Sequence, residues 1–213
     1  RDRSPSRGLG DVYKRQARQF GSLGRPIAKM MSEKLGIEYY DRDIVEQAAK
    51  KLNLPVSHID ELEEKVKKTS KNSYMRMMFP LGTESSSEQD NIFEAQQNIM
   101  RFLVERESCI IVGRCSDFVL SDEPAAIHIY IYAPYDARVK NCVKDLNLTE
   151  EDAKKMIRSV DEARDNYHMH YAGFLPSDPK HKNIMVDSSV LGVEKTADFL
   201  VDFIRRKFEL KTI

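Results

Sequence analysis

Arg18-Gln19-Phe20-Gly21-Ser22-Leu23-Gly24-Arg25-Pro26 has the composition of an anion-binding loop. Glycines at 21 and 24 let backbone N–H groups come close to a phosphate, and a helix starting at the loop's end adds its positive dipole. Arg25 stands where such loops set a cation against the β- and γ-phosphates of a nucleoside triphosphate. Against the pattern G-x-x-x-x-G-K-[ST], Gln19 replaces the first glycine, Arg25 the lysine and Pro26 the magnesium-binding hydroxyl. By itself the segment reads equally as a glycine-rich turn capping a helix. A second candidate is Ile110-Ile111-Val112-Gly113-Arg114-Cys115, an apolar run that delivers a guanidinium suited to bidentate phosphate contact, or an ordinary surface arginine after a strand. A third is Arg158-x-x-Asp161-x-x-Arg164-x-x-Tyr167, whose spacing puts the side chains along one face of a helix. There two arginines could close over phosphates with Asp161 orienting them; the alternative is a salt-bridged solvent face. His168-Met169-His170 is spaced so that the rings diverge on a helix, which predicts a partly exposed pair and no metal site. Cys115 is expected to be a packed free thiol.

These residues need strands and helices to position them. Apolar spacing predicts helices over 25–36, 42–53, 58–68, 91–106, 135–147, 149–172 and 193–208. Pro26 falls in the first turn of the first helix, Gly36 at its C-cap, and Thr149 with Asp152 resembles a capping box. Strands are expected at 37–40, 108–113, 126–133 and 183–189, and 69–90 reads as irregular. Strands alternating with long helices mean parallel βαβ units, hence an α/β fold, and ligands bind such sheets beyond the carboxyl ends of the strands. Asp41, Gly113-Arg114, Pro134 and Asp187-Ser188 occupy those ends. A phosphate loop must itself follow a strand, and before Ala17 only Asp11-Val12-Tyr13 offers anything apolar. The chain is therefore expected either to fold poorly or to use residues 8–17 as a makeshift strand.

The chain has 213 residues, 41% hydrophobic and 32% charged, which suits one globular domain or a domain with an insertion. Lys+Arg and Asp+Glu both number 34, so a generally basic nucleic-acid binder is not expected. No apolar run approaches the roughly 20 residues of a membrane span. The three cysteines, Cys109, Cys115 and Cys142, lack the spacing of a zinc site or disulfide framework, so a reducing, cytoplasmic setting is expected. Residues 1–16 hold five Lys/Arg with Ser, Pro and Gly punctuation and no apolar h-region. They read as a non-native or disordered N-terminus, like a translated adaptor, leaving 17–213 as a single domain.

The succession R-Q-F-G-S-x-G-R, Y-Y-D-R-D, V-G-R-C-x-D-F-x-L and R-x-x-D-x-x-R-x-x-Y resembles the cytidylate kinase-like family of P-loop nucleoside monophosphate kinases, over residues 17 to about 208. The resemblance implies a three-layer α/β/α P-loop kinase fold with a parallel sheet, a helical acceptor-binding insertion at 42–100 and a helical lid at 149–172. It implies a phosphotransferase moving the ATP γ-phosphate to CMP or dCMP, with Mg2+ held mainly through ATP and no identified metal ligands. Gly21, Ser22, Leu23, Gly24 and Arg25 would bind ATP. Asp41, Arg42 and Arg114 would bind the acceptor. Arg25, Arg158, Asp161 and Arg164 would serve catalysis. Val112 and Cys115 stand where true cytidylate kinases carry aspartates, and Pro26 is unusual. Those departures keep two other readings open: a nucleotide-binding or sensing module with impaired catalysis, and a P-loop kinase for a non-nucleotide small molecule. Nucleotide substrates are the expected partners, without nucleic acid or membrane; the oligomeric state is not legible.

Overall fold

The structure, a computed structural model, describes residues 13–41 and 86–208. The helices expected at 42–53 and 58–68, most of the 42–100 insertion, and Arg42 lie outside the described residues. Strand β1 is Tyr13–Arg18, followed by helix α1, Gly24–Leu35, and strand β2, Glu38–Tyr40. Helix α2, Ser86–Arg106, leads to strand β3, Cys109–Val112. A short helix α3, Ser116–Val119, precedes strand β4, Ala126–Tyr132. Helices α4, Tyr135–Leu146, and α5, Glu150–Ala172, are followed by a 3-10 turn at Pro179–His181, strand β5, Ile184–Asp187, and helix α6, Ser188–Lys207.

All strand pairings are parallel, in the order β2-β3-β1-β4-β5. The makeshift strand expected within 8–17 is thus the central one, at Tyr13–Arg18, with 8–12 outside the described residues; 13–16 belong to the sheet and not to a disordered N-terminus. It pairs Lys14 through Gln16 with Ile110 through Val112 on one side, and Tyr13 through Arg18 with Ala126 through Ile131 on the other. The continuous apolar run of β3 is explained by two covered faces. Cys109 and Ile111 join a core with Phe93, Met100, Leu103 and Val119. Ile110 and Val112 join another with Ile27, Met31, Leu200 and Ile204 of α1 and α6. Each such aliphatic side chain removed from water contributes about 1.5–3 kcal/mol. A third cluster, with Phe20, Val139, Cys142, Ile157 and Val160, fastens α4 and α5 to the loop after β1.

Local signals explain the helix ends. The Gly36 φ of 64° lets its N–H reach Ser32 O, and Thr149 Oγ1 accepts the Asp152 N–H at 3.1 Å. The closing helix starts at Ser188 and breaks at Gly192 (φ 73°), so its regular part begins near the expected 193. No described helix is long and apolar enough to cross a membrane.

Candidate active site

The loop between β1 and α1 is held from outside by its carbonyl groups. Gln19 O accepts the Ser22 N–H at 3.4 Å, and Phe20 O accepts Arg138 Nη1 at 3.3 Å. Gly21 O accepts Asn141 Nδ2 at 2.8 Å, and Ser22 O accepts the Ser188 hydroxyl at 2.7 Å. Gln19 splices the loop to β4: its N–H donates to Ile131 O at 3.1 Å and its Oε1 accepts the Ala133 N–H at 3.2 Å. Among the described residues the N–H groups of Gly21, Leu23 and Gly24 have no partner. Left-handed backbone at Gly21 (φ 77°) and Leu23 (φ 58°) alternates along the segment, the geometry of an anion-binding nest at a helix N-terminus. These donors suit an oligophosphate.

Ser22 departs from expectation. Its hydroxyl is fully buried, 2.9 Å from Gln19 O and 3.1 Å from Ile131 O, so it shapes the loop and does not face a ligand. Gly21 is required by packing as well as by φ. A Cβ there would lie 2.9 Å from both Arg138 O and Cys142 Sγ. Gly21→Ala is expected to cost about 3 kcal/mol through overpacking and left-handed strain, a fall in Tm of about 6–12 °C for a chain of this size. Thermal unfolding followed by circular dichroism checks this, with Gly36→Ala, where a Cβ meets nothing within 4 Å, as the strained but unpacked comparison.

Several guanidinium groups gather at this edge of the sheet. Arg25, half-exposed in the first turn of α1, donates Nε to Asp41 Oδ2 at 2.8 Å and also pairs through Nη2. The Tyr39 hydroxyl donates to the same oxygen at 3.2 Å. Burial opposes the charge on Arg25, but the bonded Asp41 carboxylate wins and raises its pKa. Arg164 donates Nη1 to Arg18 O at 3.1 Å, and its guanidinium lies 5.6 Å from the Phe20 ring centroid. Burial lowers the Arg164 pKa against the nearby Asp161 charge. Arg18, at the carboxyl end of β1, is pushed down to about 9 by burial and by the Arg164 charge. Arg114 follows β3 in a loop where Gly113, Arg114 and Cys115 have φ of 82°, 61° and 49°. Left-handed backbone at the two non-glycine positions costs about 1–2 kcal/mol each. This places Arg114 beside Tyr167, whose hydroxyl burial pushes far up in spite of that cation, and leaves Arg114 Nη2 buried without a partner among the described residues.

The arginine–aspartate pattern of α5 divides. Asp161 accepts the Phe20 N–H at 2.8 Å and pairs with Arg138 of α4, while Arg164 Nη1 stands 3.9 Å away. Arg158 is exposed and not among Asp161's partners, and six residues on a 3.6-residue turn rotate it about 120° from Arg164. Asp161 therefore ties α5 to the phosphate loop and does not orient both arginines. His168 also departs from expectation: it is buried, its Nε2 2.8 Å from Asp117 Oδ1 and its Nδ1 2.7 Å from Phe174 O. Lys182 Nζ donates to Asp117 Oδ2 at 2.5 Å, with only 1% of its side chain exposed. This engages both oxygens of Asp117, which is buried. Among the described residues no group of three or more His, Cys, Asp or Glu is arranged to hold a metal.

Arg138 had a usable signal: it is a cation on an otherwise apolar helical face with Val139 and Cys142. Arg18 would have followed from the carboxyl-end rule once β1 was placed at 13–18. Asp117, His168 and Lys182 have no local pattern, since they meet across separations of 51 and 65 residues.

Comparison with known proteins agrees with this architecture. The sequence model of the cytidylate kinase-like family matches residues 17–190. A cytidylate kinase of Sulfolobus acidocaldarius is 23% identical over 188 residues, 88% of this chain and 91% of that protein. An uncharacterized protein from Eubacterium ventriosum has a similar crystal structure, with TM-score 0.69, 23% identity, and 91% and 98% of the two chains covered. The shikimate kinase from Acinetobacter baumannii, solved with shikimate, gives TM-score 0.51 at 14% identity, covering 92% and 94%. The fold is that of the P-loop kinases.

Proposed function

The chain belongs to the cytidylate kinase-like family, and from that premise we propose that it transfers the γ-phosphoryl group of ATP to a nucleoside monophosphate, CMP or dCMP foremost. The carrying observation is the loop whose carbonyls are tied off while the N–H groups of Gly21, Leu23 and Gly24 stay unbonded, with Arg25, Arg18, Arg164 and Arg114 around it. In this reading the loop and Arg25 take the ATP phosphates. Arg114, at the next strand end, takes the acceptor phosphate, with Asp41 and Arg42 on the acceptor side. An acceptor phosphate oxygen attacks the γ-phosphorus in line and ADP leaves, so the protein's work is alignment and charge stabilisation. Arg25 and Arg164 stabilise the equatorial oxygens. Asp161 acts through Arg164 and the loop, as a positioning residue. Arg158 would reach the phosphates only by movement of α5, the lid of the fold. Kinases of this family use ATP with magnesium, and here the ion would be carried by the ATP phosphates: Pro26 has no hydroxyl, and Asp41 and Asp117 are engaged by cations.

The test is ADP release from ATP and magnesium with CMP, dCMP, UMP, AMP or no acceptor. Stimulation by a pyrimidine monophosphate is expected. The missing hydroxyl at Pro26 and missing carboxylates at Val112 and Cys115 favour one other reading, a nucleotide-binding module without turnover. A flat panel, with ATP still raising the melting temperature, would select it.

A further inference from the structure

Arg18 is a partly buried cation in like-charged surroundings. Its guanidinium stands at the carboxyl end of the central strand, beside the like charges of Arg164 and Arg25. Among the described residues it makes no side-chain hydrogen bond and no carboxylate lies within ion-pair distance. Asp41, the nearby carboxylate, is bound to Arg25 and Tyr39. Like charges gathered in a partly buried place repel one another, and an anion bound between them relieves that repulsion.

Geometry indicates which anion. β1 and β3 run parallel with Gln16 opposite Val112, so Arg18 stands two residues further on at the height of Arg114. Its Nη1 lies over Gly113, 3.4 Å from where a Cβ would stand. The strained Gly113–Cys115 turn brings up Arg114, whose Nη2 is buried and unpartnered among the described residues. Two guanidiniums, one of them with this unsatisfied donor, thus share the β1/β3 crevice, beside the loop that carries Arg25. Paired forks of this kind match a phosphate dianion.

We propose that Arg18 is a second anion-binding residue of the acceptor site, acting with Arg114 on the acceptor's phosphate, so that this site takes phosphomonoesters and not neutral polyols. The proposal rests on the reading above in one respect, that the loop takes ATP. The experiment compares wild type with Arg18→Met and Arg18→Lys. In the first arm, KM for the best nucleoside monophosphate should rise about 10- to 100-fold in Arg18→Met, with KM for ATP little changed, and less in Arg18→Lys, which keeps the charge but not the fork. The melting temperature of Arg18→Met should hold or rise, because one of several crowded like charges is removed. A merely structural arginine would lower it. An unchanged acceptor KM, or an equal rise in both KM values, overturns the proposal while leaving the kinase reading intact. In the second arm, inorganic phosphate is titrated calorimetrically into each protein saturated with a non-hydrolysable ATP analogue. Phosphate binding in wild type that weakens in Arg18→Met supports the proposal even where no nucleoside monophosphate is turned over, the outcome that would defeat the kinase reading. No phosphate binding in wild type, or equal binding in the variant, overturns it.

Discussion

Alanine in place of Arg25 is expected to lower kcat for phosphoryl transfer by about 10²–10⁴-fold, with the fold retained. Arg25 is half-exposed in the first turn of α1, so its loss removes little packing. What disappears is a cation next to the loop's free N–H groups, where charge develops on the transferring group. The Asp41 carboxylate is then left facing the phosphates with the Tyr39 hydroxyl but without its arginine, so KM for ATP should rise as well. Arg25→Lys keeps a charge but not the rigid fork that sets two donors on Asp41 Oδ2, and an intermediate kcat is expected. The double variant Arg25→Ala/Asp41→Asn separates the two effects. Removing the carboxylate should recover part of the ATP KM and little of kcat, because no positive charge has been returned. Steady-state ADP release at saturating acceptor reads all of these. Retention of most of kcat in Arg25→Ala would take Arg25 out of the chemistry.

Elements whose causes are local were legible from sequence. The apolar runs of β3 and β4 and the Gly36 and Thr149 caps depend on neighbours a few residues away. Arg25 was found from the glycine-rich loop that runs into α1, and Arg114 by the rule that parallel sheets bind ligands at strand carboxyl ends; both lie at that edge. β1 was only half legible. Tyr-Lys-Arg-Gln has neither the run nor the alternation by which a strand covered on two faces is recognised, and its place comes from pairing with β3 and β4. Arg18 was obscured for the same reason. The expected trio on α5 failed through periodicity: spacing of three keeps neighbours adjacent but turns the ends of the series apart. Asp161 found its partner in Arg138 on another helix. Ser22 matched a phosphate-loop position by type, yet its hydroxyl was taken by carbonyl groups that only the folded loop brings near.

Asparagine in place of Asp117 is expected to be the most destabilising of the substitutions considered, by about 3–5 kcal/mol, or a fall in Tm of about 6–20 °C. The substitution leaves the buried Lys182 ammonium without its anion and turns an amide toward it or toward His168. Burial alone would raise the Asp117 carboxyl, but the His168 ring and the Lys182 ammonium outweigh it and hold the group well below the ordinary carboxylate range. In the unfolded chain the same carboxyl titrates near about 3.9, so as acid is added the unfolded state takes up the proton first. The stabilisation is therefore complete at neutral pH, and the gap between wild type and Asp117→Asn should narrow below about pH 4. Urea unfolding of both proteins across that range measures it. A gap that stays constant into acid would deny the ion pair its part. The consequence reaches the active site, because Asp117 follows the left-handed Arg114 and Cys115 and binds them to the end of α5 and the approach to β5. Asp117→Asn should thus raise acceptor KM more than ATP KM even where the protein is fully folded. Adding Lys182→Met removes the stranded charge and should return much of the stability. The acceptor KM should stay high, because nothing then ties the Arg114 turn to the entry of β5.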